Sequence, residues 1–144
     1  MPKPNKAFYL KCTRESFCRA FLEFMTPYHK LTSREKDVAA RIINQYLKLK
    51  EGLADHSDKE LLNELLWSRS SKQDIMDSLG ISPAHLQIVM AKLKKAGVIK
   101  DGYLNNLFIP DMSEDRSWFL LQIIFDWSSP KKPVSRESKQ EGEA

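Results

Sequence analysis

The chain has 144 residues, 42% of them hydrophobic and 29% charged, with a formal net charge of +4 and a pI near 9.0. That length suits one compact domain with at most a tail, and no apolar run approaches the roughly 20 residues of a membrane span. Five glycines form no phosphate-binding loop, three histidines make no i, i+4 pair, and Cys12 and Cys18 match neither a redox pair nor a zinc knuckle, so no metal, cofactor or catalysis is expected.

Charge is unevenly spread. Residues 1–50 carry +7, residues 51–70 carry −3, residues 71–100 carry +3, residues 101–127 carry −4 and the rest +1. Moderate polyanion affinity fits this pattern; a histone-like coat does not. The first residues, Met-Pro-Lys-Pro-Asn-Lys, precede too few apolar residues for a signal peptide, so the expected location is the cytoplasm.

Residues 7–12 are β-prone and suit an edge strand. Thr13 then caps a helix to Met25, with Phe17, Phe21, Phe24 and Met25 on one side, and Pro27 ends it. Thr32 with Glu35 forms a capping box for a helix to Lys50. Its apolar face runs through Val38, Ile42, Ile43 and Tyr46, with Lys36, Arg41 and Lys48 outward. Ser57 with Glu60 opens a helix to Trp67 that buries Leu61, Leu62, Leu65 and Leu66.

The next segment is the most specific in the chain. Ser71 can cap a helix carrying Ile75 and Leu79, Gly80 supplies a tight turn, and Ser82-Pro83 restarts the chain as N-cap and first helical residue. Leu86, Val89, Met90 and Leu93 then recur at three- and four-residue intervals until Gly97 stops the helix. Two short helices about a glycine turn describe a helix-turn-helix, whose second helix fits a DNA major groove. Val98 to Leu104 adds two apolar runs about Asp101-Gly102, the pair favoured in a type I′ hairpin turn.

Beyond the hairpin, Ser117 to Trp127 alternates Phe119, Leu121, Ile123, Phe125 and Trp127 against Gln122 and Asp126, which favours a strand paired with residues 7–12. Residues 1–127 are thus expected to form the domain. Residues 128–144, rich in Pro, Ser and charge, read as a disordered tail.

The run Asp74-Ile75, Leu79-Gly-Ile-Ser82 and Leu93-Lys-Lys-Ala-Gly-Val-Ile99, with the hairpin after it, resembles the winged helix-turn-helix superfamily, as in MarR-like regulators. The likeness spans about residues 57–110. Leu31-Thr-Ser-Arg-Glu-Lys-Asp-Val38 is similar to a helix opening of LuxR-type domains and sigma-factor region four, although Ala54 to Trp67 inserts a further helix here. The whole chain is also similar to small bacteriophage-encoded winged-helix proteins, for which a bacterial host's cytoplasm would be the setting. The resemblance implies a mainly α, α+β fold: a winged helix-turn-helix with an extra N-terminal helix and short flanking β-strands.

On such a fold, Ala84, His85, Gln87, Ile88, Lys92 and Lys95 face away from the core of the second helix. Gln87 can pair with adenine, His85 and Lys92 can reach guanine acceptors or phosphate, and Ala84 or Ile88 can touch a thymine methyl. Lys72 and Lys100 are candidate phosphate contacts. Two readings stay open. One is a transcriptional regulator bound to double-stranded DNA, alone or as a homodimer. The other is a winged-helix docking module, a phage assembly component or an RNA-polymerase-binding factor, which would use an apolar patch around Ile88 and Ala91.

Overall fold

In the computed structural model the described residues are 6–53, 58–112 and 117–129. Six helices and a two-stranded sheet follow in order: α1 (Phe17–Phe24), α2 (Thr26–His29), α3 (Ser33–Glu51), α4 (Lys59–Leu66), α5 (Arg69–Leu79), α6 (Pro83–Lys95), β1 (Ile99–Lys100) and β2 (Tyr103–Leu104), then a 3-10 turn at Asn106–Phe108. The mainly helical fold with a small antiparallel hairpin agrees with the winged-helix expectation. All these elements lie in one compact unit, residues 8–113; residues 1–7 and 114–144 make up a second.

The unit is organised around α3. The Thr32 hydroxyl accepts from the Glu35 amide at 3.2 Å while the Glu35 carboxylate accepts from the Thr32 amide at 2.9 Å, so the expected capping box opens the helix. α3 packs on α1, α4, α5 and α6. Its Val38, Ala39, Ile42 and Ile43 share the core with Cys18 and Leu22 of α1, Leu62 and Leu66 of α4, Ile75 of α5, and Leu86, Val89 and Leu93 of α6. Burial pushes the Cys18 thiol up to about 11, so it stays a packed neutral group.

One polar cluster ties α1 to α3. Lys36 is buried, not outward as its place in the sequence suggests, and its ammonium reaches Glu23 Oε2 at 2.8 Å and Thr26 Oγ1 at 3.2 Å. Arg19 adds Glu23 Oε1 at 2.7 Å and Asp37 Oδ1 at 2.8 Å. These bonds, from Lys36 first and Arg19 second, hold the Glu23 carboxyl down at about 2. His29 is a second buried polar anchor. Its Nδ1 accepts from the Leu31 amide at 2.9 Å, which leaves Nε2 as donor to the Leu22 carbonyl at 2.8 Å, and its ring meets Phe108 at 5.7 Å.

Several local expectations are corrected. α1 begins at Phe17, because Thr13 and Ser16 exchange bonds in a turn that precedes it. Phe24 and Leu61 are exposed: the apolar stripes of α1 and α4 are narrower than their composition. α4 is capped by Asp58, which accepts from the Leu61 amide at 3.1 Å; Ser57 lies outside the described residues.

The flanking strands at 7–12 and 117–127 are absent, for the described residues of both segments are neither strand nor helix, and the only sheet among the described residues is β1–β2. Alternation specifies a strand only where one face is apolar and a neighbour supplies the ladder, and Trp118, Leu120 and Ile124 make the second face of 117–127 apolar as well. The tail expected to be disordered lies, from residue 130 onward, outside the described residues.

Candidate nucleic-acid interface

The turn between α5 and α6 is set by chemistry local to residues 76–85. Gly80 closes α5 at φ +66, the left-handed conformation that side chains resist, and its amide and that of Ile81 both return to the Met76 carbonyl. Ser82 then caps α6, accepting from the His85 amide at 3.1 Å, with Pro83 in the first turn where no amide is needed.

Leu86, Val89 and Leu93 anchor one side of α6 and Met90 is half-buried beside them. The opposite side carries Ala84, Gln87, Ile88, Ala91, Lys92 and Lys95, all exposed, with His85 half-buried at the border. Ala84, Ile88, Ala91 and Lys95 follow one another at i, i+4, i+7 and i+11 and so form the centre line of this face. Gln87 flanks it on one side and Lys92 on the other. Two alanines on the centre line leave the helix backbone able to approach a surface closely.

Lys92 is not wholly independent. Its ammonium lies 3.8 Å from Glu35 Oε2, the oxygen that the α3 capping box leaves over. At that distance, and with Lys92 60% exposed, the pair is a weak tether.

The hairpin pairs Ile99 with Leu104 and Lys100 with Tyr103. Asp101 and Gly102 at its tip both have positive φ, +56 and +83, as a type I′ turn requires. Asn105 closes the base: its amide donates to the Val98 carbonyl at 2.8 Å and its side chain to the Gly97 carbonyl at 2.9 Å. Lys94, Gly97, Lys100, Gly102 and Asn105 line an open depression between the end of α6 and the hairpin. Lys100 is exposed, and so is Asp101 beside it.

Two positioning residues escape sequence reading. Trp67, the C-cap of α4, donates its indole N–H to Asn63 Oδ1 at 2.9 Å and to the Gly102 carbonyl at 3.1 Å, pinning the hairpin tip to the end of α4. Ser68, and not Ser71, caps α5, accepting from the Ser71 amide at 3.2 Å. The first turn of α5 therefore presents Arg69 and Ser70, both exposed, whereas Lys72 stands further along the helix and is half-buried. Ser71 faces inward, and its hydroxyl is a buried group without a hydrogen-bond partner.

A helix-turn-helix followed at once by a pinned hairpin is the winged helix-turn-helix arrangement. Residues 55–100 match a family model described as winged helix-turn-helix DNA-binding, about a third of the chain, running from α4 through the first hairpin strand. The chain thus carries a winged helix-turn-helix domain of the DNA-binding kind. No curated protein and no solved structure matches it. Among the described residues no group of three or more acids, histidines or cysteines is placed to hold a metal, and no helix is long and apolar enough to cross a membrane.

Proposed function

We propose that the chain is a transcriptional regulator that reads double-stranded DNA by laying α6 in the major groove, with no catalytic step of its own. The observation that carries the reading is the outer face of α6. Its centre line is small or aliphatic at Ala84, Ile88 and Ala91, so the helix can seat deeply and meet thymine methyl groups. Gln87 flanks it with an amide that can pair with adenine, while Lys92, Lys95 and Lys100 supply phosphate contacts. Arg69 takes the phosphate-facing place at the start of α5 that Lys72 held on sequence grounds. On this reading the protein works in the cytoplasm, beside the DNA it controls.

The test is duplex-DNA titration at several salt concentrations. Each neutralised phosphate contributes a slope of about −0.9 in log affinity against log salt, so three to five contacts give about −3 to −4.5. No binding at low salt would refute the reading. One observation favours a protein-docking role instead: Ile88 is 60% exposed at the centre of the face. Binding to DNA that survives Ile88→Asp unchanged would favour that second role for the face.

A further inference from the structure

The first turns of a recognition helix meet the bases, and in α6 those turns, residues 83–91, hold no Asp, Glu, Lys or Arg. Past Pro83 their exposed residues are Ala84, Gln87, Ile88 and Ala91, with His85 half-buried at the border. Ile88 is 60% exposed and stands between two alanines, one turn to either side, so it is a single aliphatic knob on a face whose backbone can come close. Ala84 to Ala91 covers about 10 Å of helix, or about three base-pair steps. Gln87 lies beside the knob. The side-chain amides of Gln45 and Gln73 are used within the fold, Gln45 accepting from Arg41 at 3.2 Å and Gln73 donating to Asp77 at 2.8 Å, whereas that of Gln87 has no such partner among the described residues. The first cation on the helix is Lys92, where the last turn begins, and its ammonium leans toward Glu35 at 3.8 Å.

We infer that α6 selects a short block of A·T pairs, with Ile88 reading the C5 methyl of a thymine and Gln87 the N6 and N7 of an adenine beside it. The inference rests on the DNA reading of α6 and deepens it to a base composition. Each base pair shows the major groove its own pattern of donors, acceptors and methyl. Thymine alone of the four common bases offers an apolar group there, and Ile88 with its flanking alanine methyls is the apolar partner. Adenine offers a donor and an acceptor side by side, which a free carboxamide matches, its oxygen accepting from N6–H and its N–H donating to N7. Guanine calls for two donors, as arginine or lysine gives, and cytosine for an acceptor such as a carboxylate; residues 83–91 hold none of these. His85 at the border lacks the bidentate fork. A 5-methylcytosine carries the same methyl as thymine, and Gln87 separates the two, because its adenine pairs with thymine only. Lys92 and Lys95 then follow as the part of the helix that holds phosphate.

The test uses the full chain and the duplexes it selects from a random-sequence pool. The selected site should contain a run of A·T pairs, about three long. Replacing its thymines by uracil one at a time removes only a methyl, and should weaken binding about fourfold at each methyl that is buried, the ratio carried by one methylene-sized group. Ile88→Ala, at an exposed position, should keep the helical circular dichroism and bring the thymine-to-uracil ratio close to one at the pair it meets. Lys92→Ala should weaken binding to both duplexes and keep the ratio. G·C pairs in place of the run should bind worst, and G·5-methylcytosine pairs should regain only part of the loss. Undetectable DNA binding at low salt would refute the DNA reading and this inference with it. Salt-dependent binding with no enriched A·T run, or with a thymine-to-uracil ratio of one, would overturn this inference alone. So would a ratio that Ile88→Ala leaves unchanged, or full affinity for the 5-methylcytosine duplex.

Discussion

Replacing Trp67 with phenylalanine isolates the pin that holds the wing. The indole N–H serves two acceptors, Asn63 Oδ1 at 2.9 Å in its own helix and the Gly102 carbonyl at 3.1 Å in the hairpin tip. A typical intramolecular hydrogen bond contributes about 0.5–1.5 kcal/mol net. Both acceptors lie near solvent and can be rehydrated, and the two branches share one proton, so Trp67→Phe should cost about 1–2 kcal/mol, including the smaller ring. For a unit of this size that lowers the melting temperature by roughly 4 °C per kcal/mol. Asn63→Ala removes one branch and leaves the proton to Gly102, so it should cost less. Urea unfolding of the two single variants and the double variant separates the terms: the double variant should be no less stable than Trp67→Phe alone by more than about 0.5 kcal/mol. Amide exchange at Lys100 and Tyr103, paired across the hairpin, should quicken in Trp67→Phe but not in Asn63→Ala. Strict additivity, or unchanged exchange in Trp67→Phe, would refute the pin.

The Glu23 carboxyl sits at about 2 in the fold against an ordinary 4.5, so its contribution is complete above about 4.5 and is lost as pH falls toward 2. Denaturation midpoints across that window should drop less steeply in Glu23→Gln, which should also be less stable at neutral pH because buried Lys36 loses its counter-charge. Leu93→Ala, at a fully buried position of α6, should cost about 2–5 kcal/mol by chemical denaturation. On DNA, Gln87→Ala should cost about 1–3 kcal/mol on a selected site alone, whereas Lys92→Ala should weaken selected and scrambled duplexes alike. Equal losses for Gln87→Ala on both duplexes would argue against base reading there.

The features legible in the sequence were those made by neighbours in the chain. Thr32 with Glu35, Ser82 with Pro83, Gly80, and Asp101 with Gly102 each carry their geometry within four residues, and the spacing of Leu86, Val89 and Leu93 set the face of α6. Ambiguity entered where two local solutions share one chemistry. Ser71-Lys-Gln-Asp74 has capping-box spacing as good as any, yet starting α5 at Ser68 turns Ser71 and Ile75 into the core. Contacts between distant residues left no local trace. Trp67 meets Gly102 across 35 residues, and Lys92 meets Glu35 across helices that only the fold brings together. Lys36 looked solvated because nothing in its own helix announces Glu23 as its partner. The strand reading of 117–127 rests on alternation and β-prone residue types, and neither of these supplies a ladder.

The centrality of α3 separates the recognisable motif from the unit that folds. The stretch that matches the family begins at residue 55, after α3 has ended at Glu51. Yet Ile42 and Ile43 of α3 are fully buried, and α4, α5 and α6 all pack on that helix. Cut free, residues 55–100 would carry Leu62, Leu66, Ile75 and Leu93 into water with no floor beneath them. Grafting this winged helix onto another protein therefore means carrying α3 along, together with the α1 surface against which α3 is braced. The portable piece is nearly the whole of residues 8–113, more than twice the length of the motif that identifies it.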